Sequence, residues 1–159
     1  MQKWIILIVI AVIAIIGVFI VMNVSIETEY IPESEVEETE LRKTIVSLYF
    51  KDKTTGELVK ETRMIDSKEL LKNPYNALVK MLIDGPENTN YEKTIPEGTS
   101  IIDTTFESGC VNINFSKEFS ENIETAKLQA SINSIYQTLR ELTEVTSIKI
   151  LVEGVEIES

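Results

Sequence analysis

An uninterrupted apolar segment near the N-terminus constrains this chain more than any other feature. Residues 4–22 read WIILIVIAVIAIIGVFIVM without a charged side chain, and a helix of that length spans roughly 28 Å, close to the hydrocarbon thickness of a bilayer. A secretory signal peptide would have a shorter apolar run ending in a small-residue cleavage site, whereas NVSIE follows here. Residues 1–24 are therefore predicted to form an uncleaved transmembrane anchor with a short cytoplasmic start.

The flanking residues predict the orientation of this anchor. Lys3 lies on the N-terminal side of the apolar run, and Trp4 occupies the position of an interfacial aromatic residue. Because positively charged residues stay on the cytoplasmic side of a membrane, the N-terminus is expected in the cytoplasm. The rest of the chain is then expected on the outer face of a bacterial plasma membrane.

An acidic segment follows the anchor. Residues 25–43 read SIETEYIPESEVEETELRK, with seven glutamates, one proline and no helical apolar stripe. Because like charges repel and extend such a segment, it is predicted to be a solvated linker. A calcium site would need ligands that converge around a turn with Asp and Gly, and this segment has neither.

Composition narrows the function classes of the domain that follows. The chain has 26 acidic and 15 basic residues, a net charge of −11, no histidine and one cysteine. Nucleic-acid binding needs a basic surface to neutralise phosphates, so it is disfavoured. Without histidine, Ser-His-Asp and Cys-His nucleophile systems and His-ligated zinc or haem sites lose a required residue. We therefore expect no catalytic residue, no cofactor, no metal site and no small-molecule substrate.

Residues 44–159 have the pattern of one small α+β domain. Apolar and β-branched runs predict strands at residues 44–50, 58–65, 100–106, 110–115 and 147–152. Asn73-Pro74 provides the N-cap and first position of a helix that ends before Gly85. A longer amphipathic helix begins near Glu121 to Thr125 and is expected to include Leu142. The order β-β-α-β-β-α-β predicts two helices packed on one face of a mixed sheet.

The fourth of these strands suggests an interface. Val111, Ile113 and Phe115 alternate with Asn112 and Asn114, which is typical of a strand with one buried and one wet face. We expect the wet face to be open to a partner protein. Asn112 and Asn114 are therefore candidate interface residues.

Two other surfaces remain open as interfaces. Glu61 and Arg63 are two residues apart in the second predicted strand, so both point to one face and could pair with each other or with a partner. A solvated strand face is the favoured interpretation of this pair. The outer side of the long helix is a competing surface, with the polar residues Lys127, Gln129, Ser131, Ser134 and Gln137.

Cysteine and carboxylate side chains are the remaining candidates for enzymatic chemistry. Cys110 follows Gly109 at a hairpin turn without a cationic neighbour in sequence, so a half-buried strand residue is expected rather than a nucleophile. The alternative function is a domain that binds or processes cell-wall glycan. It would need a pocket that gathers two carboxylates with aromatic platforms, and the tyrosines available are Tyr75, Tyr91 and Tyr136.

An ordered series of short motifs resembles a known domain family. The series runs through Leu48-Tyr49-Phe50, Glu61-Thr62-Arg63, Gly85-Pro86, Ile95-Pro96-Glu97-Gly98-Thr99, Val111 to Ser116, Thr138-Leu139 and a final strand that closes at Gly154. In this order the motifs are similar to the GerMN domain of sporulation and spore-germination proteins, over residues 44–157. The resemblance implies a non-catalytic extracytoplasmic domain of Gram-positive bacteria, similar in fold to the ring-building motifs of secretion and sporulation channels. Such a domain would act through contacts with an envelope protein or with neighbouring copies of itself.

Overall fold

The computed structural model describes residues 42–157, in which the strands and α-helices follow the order β-β-α-α-β-β-β-α-β-β. The predicted transmembrane anchor at residues 1–24 and the linker up to residue 41 lie outside the described residues. Within residues 42–157, none of the helices has the length and apolar character needed to cross a membrane.

The bounds of the elements follow the predicted pattern closely. The strands of the described region are β1 (Lys43–Asp52), β2 (Leu58–Asp66), β3 (Tyr91–Glu92), β4 (Ile101–Glu107), β5 (Cys110–Phe115), β6 (Ser147–Val152) and β7 (Val155–Glu156). The α-helices of this region are α1 (Ser67–Lys72), α2 (Pro74–Asp84) and α3 (Thr125–Leu139), with a short 3-10 helix at Lys117–Phe119.

These strands form two sheets rather than the single mixed sheet that the sequence predicts. The first sheet has the order β2-β1-β3 and is antiparallel throughout. The second has the order β4-β5-β6-β7, in which β5 and β6 are parallel and the other pairs are antiparallel. The α+β class is confirmed, whereas the single sheet is wrong. Apolar alternation determines which face of a strand is buried, but it does not determine which strand lies beside it.

Both sheets contribute one face to a common hydrophobic core. Alternate residues of β1 and β5 are buried, among them Leu48, Phe50, Ile113 and Phe115, each with no exposed surface. The helices contribute their apolar stripes, which include Leu78, Val79 and Leu82 of α2 and Ile132, Ile135 and Leu139 of α3. Each fully buried side chain of this kind contributes about 1.5–3 kcal/mol relative to leaving it in water.

Helix α2 begins and ends where the sequence predicts, whereas α1 was not predicted. Asn73 Oδ1 accepts a hydrogen bond from the Asn76 N–H at 3.0 Å, and Gly85, with φ of +95°, ends α2. Asp66 caps α1 by accepting from the Lys68 N–H at 2.8 Å. None of the α1 residues is buried, so this helix has no apolar stripe that periodicity would detect.

Helix α3 is shorter than predicted and ends at Leu139. Leu142 lies in the following turn, where it packs against the core from outside the helix. The apolar spacing in the sequence extends past the end of α3 because Leu142, in the turn that follows, is also partly buried.

Three hydroxyl side chains attach α3 to neighbouring main chain, two of them at the edge of β1 and one in the loop after β3. Ser131, Ser134 and Thr138 have no exposed surface. Ser134 Oγ donates to the Tyr49 carbonyl oxygen at 2.5 Å, and Thr138 Oγ1 accepts from the Tyr49 N–H at 3.1 Å. Ser131 Oγ donates to the Thr94 carbonyl oxygen at 2.6 Å. The expectation that Ser131 and Ser134 form part of a polar outer face is therefore wrong, because both satisfy buried main-chain groups.

Candidate functional site

The second sheet has one face in the core and one face that is open. In β5, Val111, Ile113 and Phe115 are fully buried, whereas Asn112 and Asn114 are half-buried. The pairing register places residues of the neighbouring strands on the same side as the asparagines. We call this surface the open face, and it consists of Asp103, Thr105, Glu107, Cys110, Asn112, Asn114, Ser147, Lys149, Leu151 and Glu156.

The two predicted asparagines have different local roles on the open face. Asn112 Nδ2 donates to Thr105 Oγ1 at 3.1 Å, a contact between exposed polar groups of neighbouring strands. Asn114 Oδ1 accepts from the Gly154 N–H at 2.9 Å, which holds the turn between β6 and β7. Asn112 is therefore the better position at which to test binding, since its replacement leaves that turn intact.

Glu61 and Arg63 lie on the core side of β2 rather than on a solvated face. Their side chains are only 9% and 8% exposed, and their register partners Leu48 and Val46 belong to the core. The expectation of a solvated strand face is wrong, because the loop after α2 covers both residues. Their direct contact with a partner protein stays a prediction.

A dense hydrogen-bond network joins this buried pair to the loop. Arg63 Nη2 lies 2.5 Å from Glu61 Oε1 and donates to the Gly85 carbonyl oxygen at 2.6 Å. Glu61 accepts from the N–H groups of Glu87 at 3.1 Å and Asn88 at 3.0 Å. Burial raises the pKa of the Glu61 carboxyl, but the N–H groups of Asn88 and Glu87 together with Arg63 outweigh burial, so the pKa is lowered. The network therefore favours the ionised Glu61 carboxylate and ties β2 to the end of α2.

The other side chains considered for chemistry are not gathered into one site. Cys110 is a half-buried strand residue, as predicted. Tyr75 is buried and stacks on Phe106 with ring centroids 4.9 Å apart, and the Tyr136 hydroxyl donates to the Ile148 carbonyl oxygen at 2.6 Å. Within residues 42–157, no group of three or more Cys, Asp and Glu side chains is arranged to hold a metal ion.

A groove that the sequence did not indicate runs between α3 and the first sheet. Its main compartment has a volume of about 700 Å³ and adjoins a second one of about 470 Å³. The carboxylates along it come from Glu57, Glu92, Glu97, Glu118, Glu121 and Glu124. Sequence reasoning missed the groove because these residues belong to separate turns, helix ends and a short strand, where each looks like an ordinary solvated position.

The lining of this groove does not match the requirements of a glycan site. Carboxylates are abundant along it, but none of its lining side chains is aromatic. Sugar rings are usually held by aromatic platforms in addition to polar groups. The groove therefore lacks the aromatic platforms that a glycan-binding site would need beside its carboxylates.

Known proteins share both the sequence pattern and the fold. The family model described as "Germane: Sporulation and spore germination" matches residues 47–158, and no curated protein is significantly similar to the chain. The first GerMN domain of the sporulation protein GerM from Bacillus subtilis is 21% identical with a TM-score of 0.61, over 72% of this chain and 86% of that one. The tandem GerMN domains of the same protein are 20% identical with a TM-score of 0.63, over 74% of this chain and 42% of that one. These two similarities establish a common fold.

Proposed function

Because the chain belongs to the Germane family of sporulation and spore germination, we propose that it is a non-catalytic, membrane-anchored module that binds or assembles proteins outside the cell membrane. The apolar segment at residues 4–22 anchors it, and the acidic segment at residues 25–43 sets its distance from the bilayer. Its partner is an envelope protein or a neighbouring copy of the chain, within a sporulation or germination complex.

The open face of the second sheet is the observation that supports this function. On the opposite side of the same strand, Val111, Ile113 and Phe115 are fully buried. The open face therefore lies directly over the packed core. The amide group of Asn112 can both donate and accept hydrogen bonds. Extended surfaces with polar groups and a packed interior behind them suit protein contacts, whereas small-molecule sites are concave and mostly apolar.

The glycan-binding alternative has less support from the described domain. Tyr75 and Tyr136, two of its three candidate platforms, make contacts within the fold. The groove between α3 and the first sheet has carboxylates without aromatic side chains beside them. Purified protein is accordingly expected to give no band in a peptidoglycan zymogram, and a reproducible band would favour the alternative.

Crosslinking of the full-length chain in native membranes tests the proposed function. Replacing Asn112 with Arg introduces a long charged side chain at the centre of the open face, so we expect crosslinked complexes to be lost while the melting temperature is unchanged. Thr143→Arg is a matched control, because it adds the same charge at an exposed turn residue that is not part of the open face. If both variants crosslink to the same species in wild-type yield, the open face is not the interface.

The anchor needs its own test. An apolar segment of this length should keep the full-length chain in the membrane fraction after alkaline carbonate washing. Recovery of a soluble form that begins near residue 25 would show that the segment is removed instead.

A further inference from the structure

The groove between α3 and the first sheet has no role in the contact proposed for the open face. Its two compartments share Lys51, Gly56, Ala126 and Ala130, so they form one elongated depression along α3. Three of these four shared residues are Gly or Ala. The centre of the groove is therefore unobstructed by large side chains and has room for a segment of another chain.

The charges along the groove favour binding of a positively charged ligand. Its six glutamates outnumber its three lysines, and two of the lysines are already neutralised. Lys51 Nζ lies 2.8 Å from Glu92 Oε1, and Lys127 Nζ lies 3.6 Å from Glu124 Oε2. Glu121 is paired as well, with Lys117 at 3.3 Å. Glu57, Glu97 and Glu118 then stand against Lys93, which leaves an excess of negative charge that a basic ligand would complement.

Two of these carboxylates stand out as binding groups. Within residues 42–157, neither Glu97 nor Glu118 forms an ion pair, and the Glu118 side chain lies over Gly98, next to Glu97. Hydrogen bonds from the Ser116 hydroxyl and from the backbone lower the pKa of Glu118. Neither carboxylate is held by a lysine or arginine of the described domain, so both are available to a basic side chain of a ligand.

The second compartment adds a different kind of recognition group. Its α3 side is formed by the amide side chains of Gln129, Asn133 and Gln137, which follow one another along the helix surface. Amides both donate to and accept from main-chain peptide groups. A row of amides beside a row of carboxylates matches a polypeptide, which has backbone groups and basic side chains, better than it matches a compact polyamine.

We propose that this groove binds a basic, extended polypeptide segment of a partner protein. The inference rests on the proposed protein-binding function and adds a second contact surface to it. The carboxylates near Glu97 and Glu118 bind the basic side chains, and the amides of α3 bind the main chain. Screening by salt should weaken the interaction, because the groove is exposed to solvent.

Fluorescence anisotropy with a short labelled peptide of alternating lysine and alanine tests this site, with the full-length chain in a neutral detergent at low salt. Glu97→Lys combined with Glu118→Lys should weaken binding of the peptide about tenfold, which corresponds to the loss of roughly two exposed charge contacts. A neutral change, Ala126→Met, should also weaken binding because it fills the centre of the groove. A peptide with glutamate in place of lysine should not bind.

The matched control places the same change in net charge on another surface. Asp103→Lys combined with Glu107→Lys alters the open face and should change peptide affinity by no more than about twofold. An equal loss in the two double variants would mean that the peptide responds only to net charge, and it would overturn the proposal, as would unchanged binding by the groove variants. If the groove variants bind normally while Asn112→Arg abolishes crosslinked complexes, the groove inference fails and the proposed function stands.

Discussion

The hydroxyl of Ser134 lies 2.5 Å from the main-chain carbonyl oxygen of Tyr49, so a helix side chain occupies a position on β1 that a neighbouring strand would usually take. The same hydroxyl is 2.9 Å from Thr94 Oγ1, which connects it to the loop after β3. Because β3 pairs only with Lys51 and Asp52 of β1, the edge at Tyr49 depends on α3. At Tyr49, α3 rather than a strand of the second sheet therefore bonds to the edge of β1.

Removing the Ser134 hydroxyl should destabilise the domain. Ser134→Ala leaves the part-buried carbonyl of Tyr49 without this donor, and an unsatisfied group shielded from water costs about 1–3 kcal/mol of unfolding free energy. Urea denaturation of wild type and variant would measure this loss. Asn133→Ala is the control on the neighbouring, exposed position of α3, and it should change stability by no more than about 0.5 kcal/mol. Equal effects of the two substitutions would show that the Ser134 contact does not stabilise the fold.

The sequence predicted the long elements because their signals are local. Strands β5 and β6 have the predicted bounds, and Asn73 caps α2 as expected. The motif series also identified the family correctly. The division into two sheets could not be predicted, because contacts such as those of Ser134 and Thr138 with Tyr49 join residues more than eighty positions apart in the chain. A serine on a helix looks like a surface residue until the edge that it satisfies is known.

Charge was the least reliable guide to burial. Glu61 and Arg63 were expected in solvent because ionised side chains are rarely buried, but the loop after α2 supplies main-chain groups that satisfy both of them. The open face was easier to predict, since Asn112 and Asn114 alternate with apolar residues within one strand. The groove was harder, because its carboxylates come from three separate parts of the chain, at residue 57, residues 92–97 and residues 118–124.

Removing only the arginine of the buried Glu61–Arg63 pair should destabilise the domain more than replacing both residues with uncharged ones. Arg63→Leu leaves the Glu61 carboxylate buried without its cation, and such a change costs about 3–5 kcal/mol. The double variant Glu61→Gln/Arg63→Leu should recover part of this loss, because glutamine is uncharged and its one side-chain oxygen still accepts from one of the two loop N–H groups. Thermal unfolding of both variants would test the difference.

An exposed ion pair provides the comparison for this experiment. Lys60 Nζ lies 2.9 Å from Glu141 Oε1, but both side chains are well exposed. Lys60→Ala should therefore cost no more than about 1 kcal/mol. If Arg63→Leu is as mild as Lys60→Ala, the buried network does not tie the α2 loop to β2.

The lowered pKa of Glu61 predicts how stability depends on acidity. Its ordinary pKa is 4.5 and its folded pKa is lower, so the carboxylate stabilises the folded state above that ordinary value. This contribution is lost as the pH falls from 4.5 through the folded pKa. Glu61→Gln should therefore be less stable than wild type at neutral pH, and the difference should shrink in acid. Urea denaturation over a pH series would measure it, and a difference that stays constant into acid would contradict the assignment.

Two glycines in similar turns separate backbone strain from steric conflict. Gly109 has φ of +83° and Gly154 has φ of +81°, so alanine at either position costs about 1–2 kcal/mol for the left-handed conformation. A Cβ at Gly154 would meet no atom within 4 Å, whereas a Cβ at Gly109 would lie 2.6 Å from Thr146 Oγ1. Thr146 cannot easily move away, because its hydroxyl donates to the Gly109 carbonyl oxygen at 3.0 Å.

Gly109→Ala should therefore reduce the unfolding free energy more than Gly154→Ala does, although the two backbones are alike. The extra loss should shrink when both substitutions are made in a Thr146→Ala background, because that change removes the atom that the new methyl group would contact. Urea denaturation of the two alanine variants in each background provides the measurement. Equal losses in the wild-type background would show that the β4–β5 turn relaxes away from Thr146. In that case Gly109 would be needed only for its φ angle.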